Sequence, residues 1–128
     1  MRTVHPEGIA APAVPISPGM VAGGFLYVSG QVATEPDNRT VFVGDFEREV
    51  ELTLDNVEAI LAAGGASWDK VVKVNAFLSS AQLFARFNEV YAARLGDARP
   101  ARTTVVVGFG HPDARVEVDC VAFVGEES

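Results

Sequence analysis

The chain has 128 residues, 48% of them hydrophobic, with 17 acidic against 10 basic side chains and a formal net charge of −7. That length suits one domain around a single core, and a mean hydropathy of +0.20 is high for a small monomer, which points to buried subunit contacts. The acidic balance argues against nucleic acid, the single cysteine Cys120 excludes an intrachain disulfide, and the lack of a signal-like or membrane-length apolar run leads to the expectation of a cytoplasmic protein with no membrane partner.

In chain order, a lead-in with Pro6, Pro12, Pro15 and Pro18 is expected to form an irregular arm over residues 1–20. Residues 25–29 read as a strand closed by Gly30, residues 35–39 as a turn, and residues 40–43 as a short second strand, which together predict a hairpin. Asp45 is placed to cap a helix in which Phe46, Val50, Leu54, Val57 and Leu61 share one stripe, with Gly64 and Gly65 as its stop. Glu47, Glu49 and Glu51 suit its start, where the helix dipole favours negative charge. Residues 71–78 alternate as a strand. Ser79 or Ser80 then caps a second helix with Leu83, Phe84, Phe87, Val90 and Tyr91 as its apolar positions and Gly96 near its end. Residues 103–107 and 114–123 complete the set as two strands. The order ββαβαββ predicts an α+β domain spanning 1–128, with one mixed sheet and both helices on one face. Val116, Val118, Cys120, Ala122 and Val124 line one side of the last strand, while Val121 and Phe123 interrupt the polar side. A sheet apolar on both faces with helices enough for one implies association through the other.

Two residues stand out chemically. Pro100 cannot donate to a sheet ladder, so it marks a strand entrance and leaves Arg102 at the rim, where a planar fork of donors can take a carboxylate bidentately. Glu117, fifteen positions on, is a candidate partner or proton-transfer group. Each also has a structural reading: Arg102 as a surface residue at a strand start, Glu117 as a solvated carboxylate or a partner for Arg115. Ser29 and Gly30 fit either a bulge or a place where the backbone approaches a ligand. Cys120 reads as a buried thiol, and His5 and His111 as solvated imidazoles. No metal-ligand spacing, phosphate loop or Ser-His-Asp ordering is present.

The run Pro100-Ala101-Arg102-Thr103 followed by Val116-Glu117-Val118 resembles the C-terminal signature of the RidA/YjgF family of reactive-intermediate deaminases. Val28-Ser29-Gly30-Gln31, Leu54-Asp55-Asn56-Val57, Leu61-Ala62-Ala63-Gly64 and Phe87-Asn88-Glu89-Val90-Tyr91 fit in the same order, so the resemblance covers roughly residues 14–124. It implies a chorismate-mutase-like fold and a homotrimer with a central barrel and clefts between subunits. The implied activity is cofactor-free hydrolysis of small carboxylate-bearing imines and enamines, of the 2-aminoacrylate and 2-iminopropanoate type, to 2-keto acids and ammonia. Arg102 would grip the carboxylate, main-chain groups near Ser29, Gly30 and Thr104 would hold the nitrogen end, and Glu117 would assist the attacking water. The family's Gly-Pro-Tyr segment, whose tyrosine lines the pocket, has no aromatic counterpart in residues 14–20, and Thr104 stands where cysteine is common. Two other readings of the fold stay open: a non-catalytic carboxylate-binding or regulatory trimer, and an endoribonuclease, which the charge disfavours.

Overall fold

A computed structural model describes residues 1–125, so the last three residues of the expected domain lie outside the described part. Six strands form one sheet: β1 (Arg2–Val4), β2 (Gly19–Ala22), β3 (Phe25–Gln31), β4 (Val71–Leu78), β5 (Ala101–Val106) and β6 (Val116–Phe123). Helices α1 (Phe46–Ala63) and α2 (Phe84–Leu95) cover one face. The sheet order is β1-β2-β3-β6-β4-β5, with β5 parallel to β4 and every other pair antiparallel. This is the expected α+β architecture with helices on one face.

The chain departs from the sequence reading at its N-terminal third. Residues 40–43 form no strand; a single bridge joins Thr34 and Val41. Both edges of β3 are already taken, by β2 and β6, so no ladder is open to that segment. The Asp37 carboxylate instead accepts from the Arg39 and Thr40 amides at 2.9 Å each and folds the segment back locally. The hairpin is β2–β3, whose two loop residues, Gly23 and Gly24, take φ of +59° and +84°, a conformation that glycine adopts without steric cost. The lead-in is likewise not irregular throughout, because β1 pairs along β2 and extends the sheet to residue 2.

Helix α1 begins at the expected place, but Asp45 makes no side-chain cap; its carboxylate lies 3.9 Å from Arg86 on α2. Gly65 supplies the left-handed turn, φ +83°, that ends the helix. Gly64 serves packing instead: a Cβ there would stand 2.5 Å from Leu26 Cδ2 on β3. On α2, Ser80 accepts from the Gln82 amide in a short 3-10 turn ahead of the helix, and Gly96 closes it with φ +61°.

On β6, Val116, Val118, Cys120 and Ala122 are buried against the helices. The opposite face carries Glu117, Asp119, Val121 and Phe123, and nothing in the described chain covers it: Tyr27 is 48% and Phe123 47% exposed. Arg115 does not pair with Glu117. It reaches across to Glu49, which is buried on α1 at 1% exposure, and also donates to the Gly44 carbonyl at 2.8 Å. Arg115→Leu strands the buried carboxylate and is expected to lower unfolding free energy by about 2 kcal/mol, discounted because the arginine itself is partly solvated. Chemical denaturation checks this, with Glu49→Gln as the milder companion.

Candidate functional site

Strand β5 is the edge of the sheet, and Arg102 is its second residue, directly after the Pro100-Ala101 entrance. Parallel pairing sets Arg102 beside Val74 and Thr104 beside Ala76, so both point to the helix-covered side. There α2 receives the guanidinium. Its Nη2 donates to Asn88 Oδ1 at 2.7 Å, and its Cζ stands 4.7, 5.5 and 5.8 Å from the ring centres of Tyr91, Phe87 and Phe84. Aromatic faces attract a cation without consuming its hydrogen bonds, and a neutral amide orients the fork without cancelling its charge. The Tyr91 hydroxyl lies close enough to the guanidinium to feel its charge, which acts to lower the tyrosine pKa against the larger effect of burial. On the same side, the Tyr91 hydroxyl and Thr104 Oγ1 are buried without a hydrogen-bond partner, and burial raises the tyrosine pKa. Unpaired buried polar atoms beside a guanidinium that no carboxylate among the described residues neutralises mark a place that can accept a polar ligand.

Asn88 and its rings were not among the expected site residues. Phe84, Phe87 and Tyr91 read as core positions, and Asn88 as a structural helix residue. The available signal was an asparagine four positions after Phe84 and three before Tyr91, on one helix face.

Glu117 lies opposite Phe77 on the face away from the helices. Its carboxylate rests on Gly30, where a Cβ would sit 2.3 Å from Oε2, so any larger residue there would push the carboxylate from this position. Burial, reinforced by the Asp119 charge, pushes the Glu117 pKa up from the ordinary 4.5. Gly30 and Ser29 fall in a register shift between Val28 and Gln31, the expected bulge. Ser29 Oγ donates to the Ser17 carbonyl at 2.6 Å and ties the N-terminal arm to β3.

The expected site residues therefore form two groups. Arg102 and Thr104 sit under β5, whereas Glu117, Gly30 and Ser29 sit at β6 and β3. Between Arg102 and Glu117 lie two strand spacings, about 10 Å, and three residues along the strand, about 10 Å more, with the two side chains on opposite faces. One chain cannot bring them together. A cavity that holds both must take Arg102 from one chain and Glu117 with Gly30 from another.

Other candidates keep structural roles. Cys120 is buried and its thiol pKa is pushed up to about 12, which leaves it protonated and inert. His111 Nδ1 accepts from the Asp113 amide at 3.1 Å. Asn56 Nδ2 donates to the Val32 and Thr34 carbonyls at 3.1 and 3.0 Å, pinning the loop after β3 to α1. Among the described residues, no three His, Cys, Asp or Glu side chains gather as a metal site would require, and no helix is long and apolar enough to cross a membrane.

The family described as Endoribonuclease L-PSP matches residues 8–124. The chain is 34% identical over 122 residues to a RutC family protein of Pyrococcus horikoshii, covering 95% of this chain and 97% of that one. Among solved structures, RidA from the Antarctic bacterium Psychrobacter sp. superposes with a TM-score of 0.88 at 29% identity, over 97% of this chain and 100% of the other. TdcF of E. coli with bound serine gives 0.87 at 25% identity, over 96% and 98%.

Proposed function

From the premise that this chain belongs to the Rid/YjgF/L-PSP family, we propose that it hydrolyses short-lived 2-imino acids, with their enamine tautomers, to 2-keto acids and ammonia. The observation that carries the reading is the Arg102 guanidinium at the sheet edge, held by Asn88 and surrounded by three aromatic rings, with no carboxylate among the described residues to neutralise it. A small carboxylate is the ligand that uses a planar fork best. The serine bound to TdcF, a relative of the same fold, is itself a small amino acid with such a carboxylate.

Imines react with water readily, so the site has only to bind, orient and move protons. Arg102 fixes the carboxylate, and main-chain groups near Gly30 and Thr104 hold the nitrogen end. Glu117, from the neighbouring chain, accepts a proton from the attacking water as its oxygen bonds to the imine carbon. The C=N π pair goes to nitrogen, which takes that proton to give a carbinolamine; its hydroxyl proton then passes to the amine as the carbon–nitrogen bond breaks and the C=O bond forms, so one water plus one imine give one keto acid and one ammonia. No cofactor enters this scheme, and the chemistry suits a cytoplasmic protein. Release of keto acid and ammonia from imines freshly generated by an amino-acid oxidase tests it; wild-type protein that leaves the spontaneous rates unchanged across the panel ends the proposal.

The two-chain site requires assembly. The uncovered face of Tyr27, Val105, Val121 and Phe123 supports association of this chain with itself, and the family resemblance points to a homotrimer with a central barrel. Sedimentation equilibrium is expected to give three times the chain mass; a monomer at micromolar concentration removes the site as described. A non-catalytic carboxylate binder on the same trimer is the second reading, and the absence of an aromatic residue in 14–20 is what favours it. Such a protein would bind keto acids yet fail the imine assay. Despite the family's description, RNA cleavage is expected to fall away on purification, since a net charge of −7 repels a polyanion. Nuclease activity that co-purifies in proportion to protein and vanishes in Arg102→Ala overturns that expectation.

A further inference from the structure

Strand β5 carries two adjacent threonines in opposite circumstances. Thr103 faces the uncovered side of the sheet, where its Oγ1 accepts from Lys73 Nζ at 2.7 Å. Thr104 faces the helices beside Ala76, two positions after Arg102, and its Oγ1 is buried with no hydrogen-bond partner among the described residues. A shielded hydroxyl without a partner is destabilising, and valine, which follows at 105 and 106, has nearly the same branched shape without that cost. Packing within the chain therefore does not account for the hydroxyl, whereas a ligand held at Arg102 does.

The spacing suits the ligand. Two residues of strand advance about 7 Å, and a carboxylate taken bidentately by the Arg102 fork carries the nitrogen on its neighbouring carbon about 6 Å from Cζ. Thr104 is half-buried on an edge strand, so a turn about its Cα–Cβ bond between staggered positions brings Oγ1 to that nitrogen. The Tyr91 hydroxyl has no such freedom, because its ring is fixed in the core. The chemistry suits as well. A hydroxyl both donates and accepts, whereas Arg102 only donates, and the Cys120 thiol is buried with its pKa pushed up to about 12.

We infer that Thr104 is a catalytic residue whose side-chain hydroxyl relays the last proton of the reaction. The inference rests on the deaminase reading and deepens it, because the carbinolamine poses a geometric problem. Its hydroxyl and its amine sit on one carbon, so direct transfer between them passes through a strained four-membered ring. Through Thr104 the ring has six members, and both hydrogen bonds approach linearity. Oγ1–H gives its proton to the nitrogen while Oγ1 takes the proton of the carbinolamine hydroxyl. The carbon–nitrogen bond breaks with its pair going to nitrogen, the freed O–H pair closes the C=O bond, and threonine ends as it began.

The test sets Thr104→Val against Thr104→Ser on imines freshly generated by an amino-acid oxidase, with pyruvate binding by calorimetry and Tm by a thermal scan. Valine keeps the shape and deletes the relay, so kcat per folded site should fall on the order of a hundredfold while the pyruvate Kd moves less than about twofold. Serine keeps a group that donates and accepts, and should stay within about fivefold of the wild-type kcat. Because the hydroxyl has no partner among the described residues, the Tm of Thr104→Val should hold or rise. A merely structural threonine would instead lower Tm and kcat together. A wild-type kcat in Thr104→Val, a serine variant as slow as the valine one, or a Tm that falls along with kcat overturns the relay while the deaminase reading stands. Wild-type protein inert toward every imine ends both.

Discussion

Arg102→Lys is expected to lower kcat/KM nearly as far as Arg102→Ala, on the order of thirty- to a thousand-fold, equivalent to about 2–4 kcal/mol for a charge-assisted pair lost from a partly desolvated cleft. Lysine keeps the charge, but its ammonium is a point donor. It cannot present two parallel N–H groups to a carboxylate, nor spread a planar charge among Tyr91 and Phe87 while Asn88 holds one edge. The comparison separates geometry from charge: a surface arginine that merely attracts anions would tolerate lysine. The loss should fall mainly on KM for the imine, with the Kd of the keto-acid product rising in parallel. Full activity of Arg102→Ala on every imino acid tested would falsify the site, whatever assembly the protein forms.

How much of this was legible in the sequence depends on whether the deciding contact is local. Helix α1 and strand β4 were legible almost to the residue, and helix α2 apart from its first turn, which is a 3-10 turn over Ala81–Leu83, because an apolar stripe and a strict alternation are each written in adjacent positions. The N-terminal pairing was not. The turn residues 35–39 suggest a hairpin with residues 40–43, but β6, from the far end of the chain, occupies the edge of β3 that residues 40–43 would need. Arg115 failed in the same way. Its nearest acidic neighbour in sequence is Glu117, but its partner Glu49 is 66 positions away and brought close only by α1 crossing the sheet. For the candidate site, Arg102 at a strand entrance was legible from Pro100, whereas the face it points to was not, since Arg102-Thr103-Thr104-Val105 offers no clean alternation and the parallel register with β4 decides it. Hence the sequence could suggest Arg102 and Glu117 as neighbours, and the sheet puts them on opposite faces.

That opposition carries the last expected result. Arg102→Ala and Glu117→Gln should each be strongly impaired as homogeneous proteins, the second by roughly a hundredfold in kcat with the product Kd little changed, because glutamine keeps the shape against Gly30 but accepts no proton. Co-expressed or co-refolded in equal amounts, the two variants should regain activity. If each cavity draws its arginine from one chain and its glutamate from the next, random assembly leaves both intact in about a quarter of sites, one half times one half. Recovery near that level, rising and falling with the mixing ratio, is the signature of a shared site. The pH profile supplies an independent mark. Burial disfavours the charged carboxylate, so Glu117 stays protonated to a higher pH than an ordinary glutamate, and a reaction that needs its basic form loses rate as the pH falls through that raised midpoint. The acidic limb of wild-type kcat should therefore lie above pH 4.5, be absent from Glu117→Gln, and return in the mixed assemblies. Mixed oligomers shown by mass to contain both chains, yet no more active than their parents, would mean that Arg102 and Glu117 never serve one cavity.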